Sequence, residues 1–199
     1  MRTPRYIIGI DEAGRGPLAG PVAVGAVVVP IDFDWSSVAG AKDSKKMTPK
    51  SREVMYKKML LLRKAGKLDF AVAFSSAALI DTHGIVPAVQ SALNRALRHF
   101  PEVEPRETMV LLDGGLRAPS MFSNQKTIIR GDQSEPVISL ASIATKVTRD
   151  RLMVRIAKKY PPYGFEIHKG YGTIAHRAAI KNHGLSNFHR ATFCKRLSP

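Results

Sequence analysis

Four acidic residues fall where the chain predicts strand ends. Asp11 and Glu12 follow the apolar run Tyr6–Ile10, Asp113 closes Thr108–Leu112 ahead of Gly114-Gly115, and Asp132 follows Lys126–Arg130 through Gly131. Ends of neighbouring strands converge in space, so acids distant in sequence can meet. Clustered carboxylates repel one another and resist ionisation unless a cation neutralises them. Their hard oxygens suit Mg²⁺ or Mn²⁺, and two such ions roughly 3.5–4 Å apart activate a water and stabilise the leaving oxygen in phosphodiester hydrolysis. A single strand-end aspartate more often caps a turn; four of them in a basic chain favour the metal site. Consecutive acids point to opposite faces of a regular strand, so Glu12 joins Asp11 only if the chain turns there, which Ala13-Gly14 permits.

Other groups flank these acids in sequence. Gly14-Arg15-Gly16-Pro17-Leu18-Ala19-Gly20-Pro21 is a stretch of small residues whose backbone can approach a nucleic-acid backbone closely and donate to it. It lacks the Lys-Ser/Thr pair of a phosphate-binding Walker loop and the spacing of a dinucleotide fingerprint. Lys45 and Lys46 could meet phosphates, with Ser44 donating a hydrogen bond, but taken alone the three read more readily as a solvated turn before the Thr48 cap. Ser142, Lys146 and Arg149 share helical spacing and can face a nucleic-acid backbone, while Asp150 reads as an ion-pair partner. His168 and Lys169 flank a loop carrying Tyr171, and His176, His183 and His189 follow without zinc spacing. These histidines read as structural or phosphate-contacting, and Arg190 and Phe193 as C-terminal packing.

The elements that must position these groups follow from period and punctuation. Tyr6–Ile10, Pro21–Val29, the alternating Leu68–Ser75, Thr108–Leu112 and Lys126–Arg130 read as five strands. Thr48-Pro49 caps a helix that Gly66 stops, and a second helix covers about Pro87–Phe100. A long helix runs from near Pro136 to about Lys159, and Thr173 caps another that ends at His183 before Gly184. The close succession of the first two strands predicts an antiparallel hairpin, and the helix before the fourth predicts a parallel crossover. The expectation is an α/β fold with a mixed sheet and helices against it.

Composition narrows the partners. Across 199 residues, 31 Lys and Arg against 16 Asp and Glu leave a formal charge of +15, spread along the chain. That balance favours a folded basic face and a polyanionic partner. No apolar run reaches the roughly 18–20 residues a membrane span needs, and Asp11 interrupts the N-terminal stretch before a signal-peptide core can form. A lone cysteine, Cys194, permits neither an internal disulfide nor a cysteine zinc cage. The default compartment is a reducing cytoplasm.

Several blocks carry a resemblance. GIDEAGRGPLAGPV at 9–22 closely resembles the signature of type 2 ribonuclease H, ribonuclease HII. The likeness continues through DSKKM at 43–47, LLDGG at 111–115, RGDQSEPVISLASIATKVTRDR at 130–151, YGFEIHKGYGT at 163–173 and HRATF at 189–193. The blocks keep the family's order over nearly the whole chain. Arg130 stands where the family commonly has Lys, and Ser139-Leu140 and Ala144-Thr145 alter helix packing.

The resemblance implies an RNase H-like fold with a five-stranded mixed sheet flanked by helices and a helical C-terminal part. It implies one domain over 1–199, with a core to about 160 and a C-terminal helical and loop part over about 161–199. It implies a metal-dependent endonuclease acting on RNA in RNA/DNA hybrids and on single ribonucleotides in duplex DNA. Such an enzyme cuts 5′ of the ribonucleotide, leaves a 3′-hydroxyl and a 5′-phosphate, and serves ribonucleotide removal from DNA. Asp11, Glu12, Asp113 and Asp132 match the family's metal-binding acids, Gly14-Arg15-Gly16 the loop that reads the 2′-hydroxyl, and Tyr171 the tyrosine that packs on the sugar beside the scissile junction. Expected partners are RNA/DNA hybrid and ribonucleotide-containing DNA, with the chain a monomer. The C-terminal Leu-Ser-Pro shows no clear sliding-clamp peptide, which leaves such a partner open. Two rivals stand beside this reading. Another nuclease or transposase of the same fold would cut all-DNA duplex. A non-catalytic nucleic-acid-binding module would bind hybrid indifferently to metal.

Overall fold

A computed structural model describes residues 3–41 and 47–197. Among the described residues five strands form one sheet: β1 (Tyr6–Ala13), β2 (Val22–Pro30), β3 (Asp69–Ser75), β4 (Thr108–Asp113) and β5 (Gln125–Ile128), in the order β3-β2-β1-β4-β5. β1, β2 and β3 pair antiparallel, as the short connection between the first two requires. β4 pairs parallel to β1, and β5 parallel to β4. The expected mixed sheet is present.

Helices cover both faces. On one lie α2 (Ala77–His83) and α3 (Ile85–Leu97), whose Ile80, Ala88, Ala92, Leu93 and Ala96 pack on Ile8, Ile10, Val24, Val110 and Leu112. On the other lie α1 (Pro49–Lys64) and α5 (Pro136–Ala157), where Met55, Met59, Ile138, Leu140 and Ile143 meet Val27, Val29 and Phe70. The side-chain period of 2 along each strand assigns alternate residues to these two cores. α5 lies unusually close to the sheet. A Cβ on Gly9 would overlap the Val137 carbonyl, and one on Gly25 would overlap the Thr145 hydroxyl. The two bare backbones let the helix sit directly across β1 and β2.

The remaining helices are short: α4 (Gly131–Ser134), α6 (Phe165–His168), α7 (Ile174–His183) and α8 (Ala191–Cys194). Ala19, Met153, Ile156, Tyr163 and Phe165 form a third apolar cluster beside the end of α5. Among the described residues no helix is long and apolar enough to cross a membrane.

Several expectations shift in detail. Thr48, Thr173 and Gly184 do cap and stop their helices, the two threonines accepting from the Ser51 and His176 N–H groups. β1 runs three residues past its expected end at Ile10, to Ala13. α2 was not foreseen, although its cap is ordinary: the Ser76 hydroxyl accepts from the Leu79 N–H. β5 stops at Ile128, because Arg130 enters the left-handed region at φ 56° and opens the single turn α4.

Candidate active site

The site is built where β1 outruns its parallel neighbour. The β1–β4 ladder ends at Ile10 against Leu112, so Asp11 and Asp113 are the next residue on each strand. On the other side β1 stays paired with β2 through Asp11–Gly25 and Glu12–Val24. No turn separates the two acids. The left-handed residue is Gly14, at φ 84°, after the strand has ended. Glu12 nevertheless shares the cleft with Asp11, because both line it at the strand's end.

Electrostatics show how close these acids stand. Asp11 is 5% exposed and its carboxyl is raised to about 7, first by burial and then by the charges of Asp113 and Glu12. Hydrogen bonds from the Ser142 hydroxyl and from the Glu12 N–H, the latter at 2.7 Å, oppose that rise. Glu12 is raised for the same reasons, burial leading and Asp113 adding, while Arg15 restrains it through a 3.2 Å contact to Oε1. Asp132 is fully buried on α4, and its backbone N–H donates to Asp113 Oδ1 at 3.4 Å. The residue borders an adjoining cleft with Ala41, Glu135 and Ser139. Asp11, Glu12 and Asp113 thus act on one another directly, and Asp132 is linked to them through Asp113.

As they stand, no group of three or more His, Cys, Asp or Glu among the described residues is arranged to hold a metal ion. The chemistry of the donor set fits one all the same. The donors are carboxylate oxygens, and burial and crowding raise the proton affinity of Asp11 and Glu12, the condition a hard divalent cation relieves.

The remaining candidates divide into those at the cleft and those away from it. A cleft of about 430 Å³ is lined by Asp11, Glu12, Gly14, Arg15, Gly16, Ser142, Lys146 and Tyr171, together with Arg52. Tyr171 is 43% exposed, and the Lys146 ammonium lies 5.9 Å from its ring centroid. Lys146 also pairs with Asp150 at 2.9 Å, as expected for that aspartate. Lys169 lines the neighbouring groove between α1 and α5, with its ammonium on the Glu166 carbonyl. Ser44, Lys45 and Lys46 lie outside the described residues.

Arg149 corrects the sequence reading. It does not line the cleft with Ser142 and Lys146. It is fully buried and donates to the carbonyls of Pro21, Lys169 and Ala19 at 3.0, 3.1 and 3.5 Å. Residue spacing put it on the same side of α5, but the close approach of the Gly14 loop roofs that turn of the helix; a Cβ on Gly14 would overlap the Arg149 guanidinium.

Sequence reasoning missed two features. Arg52 reaches the cleft wall from α1 while donating to the Met47 carbonyl at 2.6 Å, and nothing in a helix-surface arginine marks that. Arg190 holds the Gly14 and Arg15 carbonyls at 2.6 and 2.9 Å. Packing was foreseen for Arg190, the contact with the glycine loop was not.

The chain has relatives among known proteins. A family profile described as Ribonuclease HII matches residues 8–196. A ribonuclease HII of Endomicrobium trichonymphae is 41% identical over 187 residues, covering 94% of this chain and 84% of the relative. One from Coxiella burnetii (strain Dugway 5J108-111) is 44% identical over 194 residues, covering 96% and 91%. Among solved structures, the crystal structure of the ribonuclease H2 from Pyrococcus horikoshii OT3 superposes with a TM-score of 0.73 at 24% identity, covering 96% of each chain. Bst-RNase HIII in complex with Mn²⁺ superposes with a TM-score of 0.74 at 18% identity, covering 98% of this chain and 70% of the other. The fold is RNase H-like. Sheet order, strand-end acids and sequence kinship converge on one conclusion: the chain belongs to the ribonuclease HII family and is a ribonuclease H, a hydrolase.

Proposed function

We propose that the chain is a divalent-metal-dependent endonuclease that hydrolyses RNA in RNA/DNA hybrids. In this reading it also cuts on the 5′ side of single ribonucleotides embedded in duplex DNA, leaving a 3′-hydroxyl and a 5′-phosphate, and serves ribonucleotide removal from DNA. One observation carries it. Asp11 and Glu12, the Gly14–Gly16 backbone and Tyr171 line a single cleft, so phosphate chemistry and sugar recognition share one wall.

Asp11, Glu12, Asp113 and Asp132 are the residues proposed to hold Mg²⁺ or Mn²⁺; a Mn²⁺ complex is known for the structurally similar Bst-RNase HIII. The bound cation supplies charge neutralisation and an activated water. Every other task falls to this chain's own groups. Ser142 orients the Asp11 carboxylate through its hydroxyl. Arg15 neutralises part of the Glu12 charge at the mouth of the cleft. Lys146, at the cleft wall, meets a substrate phosphate, and Lys169 extends the basic track into the next groove. Ser44, Lys45 and Lys46 are proposed as further phosphate contacts. The Gly14–Gly16 backbone reads the 2′-hydroxyl, the group that distinguishes RNA from DNA at one nucleotide. The Tyr171 ring packs on the following sugar, where an added hydroxyl would crowd it.

The test is a labelled duplex with one embedded ribonucleotide, incubated with and without Mn²⁺ or Mg²⁺, with product ends mapped. Cleavage 5′ of the ribonucleotide only with metal is the expected result. Cutting of all-DNA duplex, or binding without cleavage under either metal, would sink the reading.

A further inference from the structure

The two sugar-reading elements come from distant parts of the chain, and one short strap holds both. The strap is Phe188–Arg190. Gly20 donates to the Phe188 carbonyl at 2.8 Å, Arg190 N–H donates to the Leu18 carbonyl at 2.8 Å, and Ala19 bridges His189 in antiparallel fashion. On its other edge the same Leu18–Ala19 segment donates to the Gly170 carbonyl at 2.9 and 3.3 Å, one residue before Tyr171. Gly170, at φ 86°, has no room for a Cβ, which would overlap the Ala19 carbonyl.

Arg190 fixes the glycine loop. Its guanidinium is fully buried and donates through Nε, Nη1 and Nη2 to the carbonyls of Gly20, Arg15 and Gly14 at 2.9, 2.9 and 2.6 Å. In a trans peptide the carbonyl and the following N–H point in opposite directions. With the Gly14 and Arg15 carbonyls turned to Arg190, the Arg15 and Gly16 N–H groups face away from it. Arg149 holds the Pro21, Ala19 and Lys169 carbonyls from beneath. Among the described residues neither arginine forms a salt bridge. Main-chain carbonyls take up these buried charges, with Asp150 acting on Arg149 and Asp81 on Arg190 from beyond salt-bridge distance.

His189 fixes the tyrosine. Its Nδ1 accepts from the Ser186 N–H at 2.9 Å, which leaves Nε2 to donate to His176 Nε2 at 3.0 Å. His176 Nδ1 then donates to the Tyr171 carbonyl at 2.9 Å. His168 stacks on His176 at 4.3 Å, accepts from the Gly170 N–H at 3.2 Å and donates to the Tyr163 carbonyl at 2.7 Å. Each ring has one donating and one accepting nitrogen, so a single set of neutral tautomers satisfies the whole chain.

We propose that His189 and Arg190, acting through His176 and with Arg149 beneath, are positioning residues that set the distance between the Gly14–Gly16 loop and Tyr171. They thereby set selectivity for a ribonucleotide–deoxyribonucleotide junction over a continuous hybrid. The proposal rests on the sugar-reading roles given above. A junction needs both elements in register, whereas a continuous hybrid offers a 2′-hydroxyl at every position and tolerates a misplaced ring.

The test compares kcat/KM on a duplex with one ribonucleotide and on a continuous RNA/DNA hybrid, for wild type and three variants, with thermal melting as a fold control. Arg190→Lys keeps the charge and loses the three-carbonyl grip. His176→Leu cuts the relay, and His176→Asn retains a donor for the Tyr171 carbonyl. Arg190→Lys and His176→Leu should lower the single-ribonucleotide value relative to the hybrid value by about tenfold to a hundredfold, as a displacement near 1 Å does. His176→Asn should recover most of that ratio. If Arg190→Lys does not fold, the two His176 variants decide the matter. Equal losses on both substrates in the folded variants would overturn the proposal, since a merely structural role lowers both together. Wild-type protein that leaves the single ribonucleotide uncut would instead refute the sugar-reading roles themselves.

Discussion

At the residue scale, Asp11 concentrates the conflict between stability and function. Its carboxyl sits at about 7 because it is buried and faces Asp113 and Glu12. The unfolded chain ionises this group near 3.8 and the folded one near 7, so in the metal-free chain the cost to folding builds up as pH rises between those values and is fully present above 7. Asp11→Asn should abolish hydrolysis and, at pH 8 without metal, stabilise the fold by on the order of 1–2 kcal/mol. Urea unfolding alongside a cleavage assay checks both; a destabilised variant would show that the acids do not repel as described. Tyr171→Ala should lower single-ribonucleotide cleavage more than cleavage of a continuous hybrid, and an unchanged preference would remove the tyrosine from sugar recognition. The nearness of Asp11, Glu12 and Asp113 was legible because each follows an apolar strand run and the ends of neighbouring strands converge, although any one of them alone reads as a turn cap. Arg190 and Arg149 were not. Their partners are main-chain carbonyls as far as 176 residues away, and a carbonyl has no residue identity to recognise.

At the scale of elements, α5 carries the site. It runs over Gly9 and Gly25, and that approach brings Ser142 to Asp11 and places the Thr145 hydroxyl 3.4 Å from the Asp11 carbonyl. Gly9→Ala puts a methyl against the Val137 backbone, which cannot rotate away. It should destabilise the chain by about 2–4 kcal/mol and reduce kcat through displaced Ser142 and Lys146. A neutral ΔΔG by urea denaturation would mean that the helix sits farther out. The strands and most capped helices were readable from period and punctuation. The end of β1 was not, since Asp11 and Glu12 look like a turn locally and are held extended by pairing with Gly25 and Val24. α2 escaped notice because Gly84 separates it from α3, and its seven residues are too few for a clear apolar period.

At the scale of the whole molecule, two properties follow from charge. A formal +15 means that association with nucleic acid releases counterions. At fixed divalent metal, kcat/KM should fall by at least about tenfold between roughly 50 and 200 mM monovalent salt; a flat profile would remove the basic surface from substrate capture. The buried histidines give the second property. His189 is lowered to about 4 and His176 is lowered too, chiefly by burial. At His189 the unfolded chain therefore binds more protons than the folded one between about pH 6.5 and 4, so its contribution is present above the unfolded value and is lost as pH falls through that window, with His176 acting in the same direction. Unfolding free energy should drop more steeply across it for wild type than for His189→Gln. Parallel profiles would show that His189 already carries its proton when folded.

The central claim is that acids brought together from β1, β4 and α4 hold divalent cations against a ribose-linked phosphate. Anomalous scattering from Mn²⁺, in crystals of the chain with a duplex carrying one ribonucleotide, tests it most directly. The account predicts peaks between the carboxylates of Asp11, Glu12, Asp113 and Asp132, beside the phosphate 5′ of the ribonucleotide. Manganese bound elsewhere, with those carboxylates distant from the phosphate, would contradict it.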